Sequence, residues 1–187
     1  MSPFDRRTAE HGALLVVDVQ ERLLPAIQGH ARVLANALTL VRGAQNLGIP
    51  VFATEQYPRG LGSTVEPLAT LIPDRPSKLT FHCLGAPGLA EALAEGGIRH
   101  VTLVGIEAHV CVAQTALELL KRGYAVQVPA DAVGSRFAVD HEFALRRLER
   151  AGAIVTTAEA TLFEWLGTAE HPRFKDISAL VKGRSAE

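Results

Sequence analysis

Val101-Thr102-Leu103-Val104-Gly105-Ile106-Glu107-Ala108-His109-Val110-Cys111-Val112 joins an apolar, β-branched run to a short turn and then to residues with helical spacing. A strand that feeds directly into a helix is half of a parallel βαβ unit, and the same pattern repeats on both sides of it. Upstream, Ala13-Leu14-Leu15-Val16-Val17 predicts a strand ending at Asp18, and Val33, Leu34, Ala37, Leu38 and Val41 predict a helix over about 29–47, closed by Gly48. Residues 49–54 restart an extended run. Between residues 55 and 76, Pro58, Gly60, Gly62, Pro67, Pro73 and Pro76 predict a long loop with room for one helical turn, and loops of that length tend to be functional. Downstream, the spacing predicts helices over about 88–95, 108–122 and 139–150 and strands over 100–104, 124–128 and 153–156. Two short amphipathic helices follow, carrying Leu162, Phe163, Trp165 and Leu166 and then Phe174, Ile177, Leu180 and Val181.

Apolar strands alternating with helices imply an α/β fold, with a mostly parallel sheet covered on both faces by right-handed crossovers. The 187 residues suit a single domain spanning 1–187, and 48% hydrophobic with 21% charged residues suits a globular chain. Nineteen basic against twenty acidic residues give a formal charge of −1, which offers no electrostatic case for nucleic acid or an anionic membrane. The longest apolar runs are strand-sized, too short to span a bilayer. Met1-Ser2-Pro3-Phe4-Asp5-Arg6-Arg7 lacks the pattern of a signal peptide, so a cytoplasmic location is expected, with Cys83 and Cys111 as reduced thiols.

In parallel sheets ligands bind beyond the carboxyl ends of the strands. Asp18 closes the first predicted strand, Glu55 and Gln56 follow the second, and Cys111 follows the strand at 100–104, so all can converge on one crevice. Cys111 at a helix start faces unpaired N–H groups and the positive end of the helix dipole, which favour thiolate; a small buried hydrophobe is the plainer alternative. Asp18 after four apolar residues is costly unless paired, used in chemistry, or spent as a helix cap. Lys78 taken alone reads as a solvated lysine. The seven histidines (His11, His30, His82, His100, His109, His141 and His171) show no metal-ligand spacing, and His109, two residues before Cys111, points to a different side of the turn. No GxGxxG, Walker or GxSxG element is present, and no cofactor is expected.

Taken together, Leu15-Val16-Val17-Asp18-Val19-Gln20, Lys78 with Phe81 three residues on, the segment 104–112 and Ala130-Asp131-Ala132-Val133-Gly134-Ser135-Arg136 resemble the isochorismatase-like cysteine hydrolase superfamily. That superfamily includes nicotinamidases and carbamoyl-sarcosine amidases. Residues 54–64, with the tail Phe163-Glu164-Trp165-Leu166 and Phe174-Lys175-Asp176-Ile177, resemble its isochorismatase-domain-containing subgroup. The resemblance covers nearly the whole chain and implies a three-layer α/β/α, Rossmann-like architecture.

It also implies a catalytic triad of Asp18, Lys78 and Cys111. Asp18 would take the thiol proton, and Lys78 would hold the carboxylate and favour the thiolate, so that Cys111 has a depressed pKa. Backbone N–H groups of Glu107 and Cys111 would meet the oxyanion, and a cis peptide is expected between Ile106 and Glu107. Gln56, Tyr57, Leu61 and Phe81 are candidates to line the pocket. Nicotinamidases of the superfamily hold a metal with an Asp and histidines in the loop after the second strand. Residues 55–76 here contain no histidine and only Asp74, so no metal is expected.

The reaction these features imply is metal-independent cleavage of a C–N bond in a small amide-like substrate by a homo-oligomer, with the C-terminal helices as a candidate contact surface. Vinyl ether hydrolysis and a non-catalytic redox or ligand-binding role for Cys111 are the alternatives.

Overall fold

The computed structural model describes residues 6–183. In chain order the strands are β1 (Gly12–Val17), β2 (Val51–Gln56), β3 (Ser77–Lys78), β4 (His100–Ile106), β5 (Ala125–Pro129), β6 (Val133–Gly134) and β7 (Ile154–Thr156). The α-helices are α1 (His30–Asn46), α2 (Pro58–Leu61), α3 (Leu68–Leu71), α4 (Leu89–Glu95), α5 (Ala113–Lys121), α6 (Ala138–Arg150), α7 (Ala158–Leu166) and α8 (Phe174–Lys182). The strands lie in the order β3-β2-β1-β4-β5-β7, and every pairing is parallel. β5 runs beside the first half of β4, and the short β6 takes the same edge at Gly105 and Ile106.

The period of two in β1 assigns its residues to two cores. Ala13, Leu15 and Val17 pack with α4, α5 and α6, whereas Leu14 and Val16 pack with α1, α7 and α8. Burial on both faces is why β1 reads as an unbroken apolar run, and it yields the three-layer α/β/α architecture. Where β1 and β4 pair at Val17 and Gly105, the backbones close in. A Cβ on Gly105 would sit 2.2 Å from the Val17 carbonyl oxygen, and the φ of +113° there suits only glycine.

The predicted elements between 100 and 156 form with ends shifted by a few residues. The stretch 57–76 holds two short helices, α2 and α3, where room for one was expected. Glu55 organises it: one oxygen accepts from the Thr64 N–H (2.8 Å), the Thr64 hydroxyl (2.9 Å) and Arg75 Nε (3.2 Å). Arg75 in turn donates to the carbonyls of Ala69 and Ile72. The C-terminal helices turn their apolar stripe inward, burying Leu162, Trp165, Leu166 and Ile177 against α1. Phe163 of α7 stays exposed, as do Phe137, Val139 and Phe143 of α6 and the residue before it. Among the described residues no helix is long and apolar enough to cross a membrane.

Candidate active site

Four strand ends meet at the carboxyl edge of the sheet, bringing Asp18 from β1, Gln56 from β2, Lys78 from β3 and Cys111 from the turn after β4 into one neighbourhood. Asp18 is fully buried and takes a left-handed φ of +51°, which an Asp tolerates better than most residues. Its carboxylate is divided between two partners: Thr54 Oγ1 donates to Oδ1 at 2.8 Å and Lys78 Nζ donates to Oδ2 at 2.7 Å. Neither oxygen caps a helix, so the capping alternative gives way to a buried ion pair.

Lys78 reaches this position through β3, whose two residues register Gln56 against Lys78. Its ammonium donates to Asp18, to Gln56 Oε1 at 2.7 Å and to the Thr80 carbonyl at 3.3 Å, which uses all three N–H groups. Gln56 is itself fixed, because Gln20 accepts from the Gln56 N–H at 2.8 Å and donates to the Gln56 carbonyl at 3.1 Å. The ordinary solvated lysine that Lys78 resembles in isolation is thus excluded by its surroundings. Removing either member of such a buried pair typically costs about 3–5 kcal/mol, because the other charge is left uncompensated.

Cys111 does not open an ordinary helix. The peptide between Ile106 and Glu107 is cis, and residues Ala108–Val112 form a π-helical turn ahead of α5. The N–H groups of Val110 and Val112 both go to the Glu107 carbonyl at 3.1 Å, whereas that of Cys111 between them does not use it. The thiol lies within hydrogen-bonding reach of Asp18.

Electrostatics at the thiol run opposite to the expectation of a depressed pKa. Burial and the negative charge of Asp18 push the Cys111 thiol above its ordinary range, and Lys78 opposes them only in part because its charge is shared with Asp18. Burial likewise raises the Asp18 carboxyl, against the pull of Lys78 and the hydrogen bonds from Thr54 and Cys111. Both groups are thus harder to ionise than in water, which keeps the proton on the thiol and raises the basicity of the Asp18 carboxylate, a combination suited to proton transfer during attack.

A small cavity of about 120 Å³ opens beside Cys111, lined by Leu23, Gln56, Leu61, Phe81, Glu107 and Val110. Gln56, Leu61 and Phe81 stand where the sequence placed them. Tyr57 does not: its ring lies over Gly60 and borders a neighbouring groove with Pro58, Arg59 and Leu79. Three residues escaped the sequence reading. Thr54 and Gln20 act through the β1/β2 register, which one strand alone does not reveal, and Glu107 enters the sequence reading only through its backbone, as an N–H donor and as part of the cis peptide. The Glu107 side chain accepts from both the N–H and Nε of Arg136 at 3.1 Å. His109 hydrogen-bonds Ser135 Oγ at 3.0 Å through Nδ1 and faces Asp140. Among the described residues no group of three or more His, Cys, Asp or Glu is placed to hold a metal ion.

Residues 12–160 match the isochorismatase domain model. The chain is 44% identical over 171 residues to isochorismatase domain-containing protein 1 of Danio rerio, covering 91% of this chain and spanning only 60% of that longer protein. It is 38% identical over 181 residues to isochorismatase domain-containing protein 2 of the same fish, covering 97% and 92% of the two chains. Its fold matches a Caenorhabditis elegans structure described as MAR1 ribonuclease, with a TM-score of 0.91, 39% identity and coverage of 98% and 95%. It also matches the Escherichia coli YcaC gene product, described as an octameric hydrolase of unknown specificity, with a TM-score of 0.90, 24% identity and coverage of 98% and 93%. With that model spanning most of the sheet and these relatives alike along nearly its whole length, the chain belongs to the isochorismatase family.

Proposed function

We propose that this protein is a metal-independent cysteine hydrolase that cleaves a C–N bond of a small amide-like substrate through a covalent thioester. The observation that carries this reading is the Cys111 thiol on the wall of a cavity, in reach of a carboxylate that Lys78 and Thr54 hold in place. Cys111 Sγ attacks the substrate carbonyl as Asp18 takes the thiol proton, and the oxyanion is met by the N–H groups of Glu107 and Cys111. Collapse breaks the C–N bond, and the leaving nitrogen takes the proton from Asp18. Water, giving a proton back to Asp18, then attacks the thioester; the acid departs and the proton returns to Cys111 Sγ.

The cavity's size supports a small substrate, since about 120 Å³ falls well below the roughly 300–1,000 Å³ of drug-sized pockets. The nuclease activity named for the nematode relative is not carried over, because a formal charge of −1 supplies no cationic track for a phosphate backbone. Free, buried Cys83 and Cys111 fit a reducing, cytoplasmic setting. The exposed Phe137, Val139 and Phe143 give the chain an apolar patch for self-association, and the E. coli protein of the same fold is an octamer.

The test is a panel of small amides and ureides offered to wild-type and Cys111→Ala protein, with rapid quenching and intact mass measurement. Turnover by the wild type alone, with an acyl adduct on Cys111, is the expected result. Equal turnover by Cys111→Ala sinks the mechanism, and reversible oxidation of Cys111 without any turnover would assign the thiol a redox role instead.

A further inference from the structure

The Glu107 side chain is only 8% exposed, although its partner Arg136 is 52% exposed. Both donations from Arg136 go to Oε2, which leaves Oε1 without a hydrogen-bond donor among the described residues. This oxygen is not sealed in the interior, and it belongs to a residue on the wall of the Cys111 cavity, where a ligand N–H can reach it. The rest of that wall is apolar apart from Gln56 and the thiol. The cation closest to the site, Lys78, has no N–H left for a ligand, since Asp18, Gln56 and the Thr80 carbonyl take all three. The cavity therefore offers a side-chain acceptor for N–H groups and no side-chain cation on its wall to hold a carboxylate.

We propose that Glu107 sets the substrate class of this site. It accepts N–H groups of a small, donor-rich or cationic nitrogen compound, such as an amine-, guanidine- or urea-bearing amide, and it turns away substrates that carry a carboxylate. Arg136 tempers this preference from outside by neutralising Oε2. As a statement about substrate choice it rests on the hydrolase reading above, but the field it describes is measurable at Cys111 without any turnover.

The probes are three methanethiosulfonates that differ in charge: 2-aminoethyl (cationic), methyl (neutral) and 2-sulfonatoethyl (anionic). Each transfers its thio group to a thiol, forming a disulfide and releasing methanesulfinate. Rates at Cys111 are measured in a Cys83→Ala background and normalised to a free small thiol. The cation should outpace the anion by a factor of at least about ten, as expected of a fixed charge a few ångströms away. Glu107→Gln should bring that ratio close to one, and Arg136→Ala should raise it further.

A ratio at or below one, or a ratio unchanged by Glu107→Gln, overturns the proposal. If Glu107→Gln fails to fold, Arg136→Ala still decides, because an unchanged or lowered ratio refutes a role for the carboxylate. Amide turnover by wild-type and Cys111→Ala protein is scored separately, so the charge preference and the hydrolase reading can fail independently.

Discussion

Cys83 and Cys111 lie in the same electrostatic field and differ in what surrounds the sulfur. Cys83 is completely buried, its thiol 3.2 Å from Thr54 Oγ1 and its N–H bonded to Thr115 Oγ1 at 2.9 Å. Cys111 stands on a cavity wall. Burial and then the Asp18 charge raise both thiols, Cys83 to about 11 and Cys111 also upward. Acidity therefore does not distinguish the proposed nucleophile from its neighbour. Access to a cavity, together with a side-chain interaction with the carboxylate proposed to take the proton, separates them.

The strongest way to break this contrast is to delete each sulfur in turn. Cys111→Ala should lower kcat by at least about 10⁴-fold, as loss of a nucleophile from a cooperating triad does. Cys83→Ala should leave kcat/KM within about tenfold, a modest packing effect. Steady-state kinetics on the amide found in the panel decide it, and comparable losses in both variants would erase the distinction.

Asp18→Asn tests the shared carboxylate. Turnover should fall by roughly 10²–10⁴-fold through loss of the base. Stability should also fall by about 3–5 kcal/mol, because Lys78 is left buried with an unpaired charge. Adding Lys78→Met should recover much of the denaturation midpoint and none of the activity. Restored turnover in the double variant would show that Asp18 serves the fold alone.

The raised thiols give stability a pH dependence of definite sign. Cys83 loses its proton near 9 when unfolded and near 11 when folded, so between these values the folded state holds more protons and stability falls as pH rises. Its share of that fall is about 2–3 kcal/mol. Urea midpoints from pH 8 to 11 should therefore drop less steeply for Cys83→Ala than for wild type, with the remaining slope including the contribution of Cys111. Parallel slopes would mean that Cys83 titrates alike in both states.

The smallest effect is expected from Thr54→Val, which removes the hydroxyl between Asp18 and Cys83 while keeping the shape. One hydrogen bond to a charged group is worth about 1.5–3 kcal/mol, and the loss should appear in kcat by about tenfold with KM little changed. A change confined to thermal stability would make Thr54 a packing residue and detach the two cysteine environments from each other.

The layered fold was readable because β1 and β4 are apolar on both faces and the major helices carry clear stripes. Asp18 stood out because an acid at the end of such a strand needs a partner. Lys78 did not, since its placement depends on a two-residue strand whose register with Gln56 is a tertiary fact. Cys111 was legible as a candidate and misread in its acidity: the chain shows a helix start, but the desolvation of the thiol depends on everything packed around it. Tyr57 was overvalued for adjacency, as its left-handed backbone turns the ring onto Gly60. Glu107 was undervalued because the orientation of its side chain is decided by Arg136, in the segment after β6.

The π-helical turn at Ala108–Val112 has one more consequence. Such a turn is an α-helix carrying a single surplus residue, and surplus can be removed. Each residue of an α-helix advances the direction of the side chains by about 100°. Deleting one residue of the turn would let the segment relax to the regular repeat and rotate Cys111 relative to α5, swinging the sulfur off the cavity wall. The aim of this thiol is thus encoded as a count of residues rather than as an identity. Changes of length here should therefore re-aim the thiol in a way that a substitution of the same length does not.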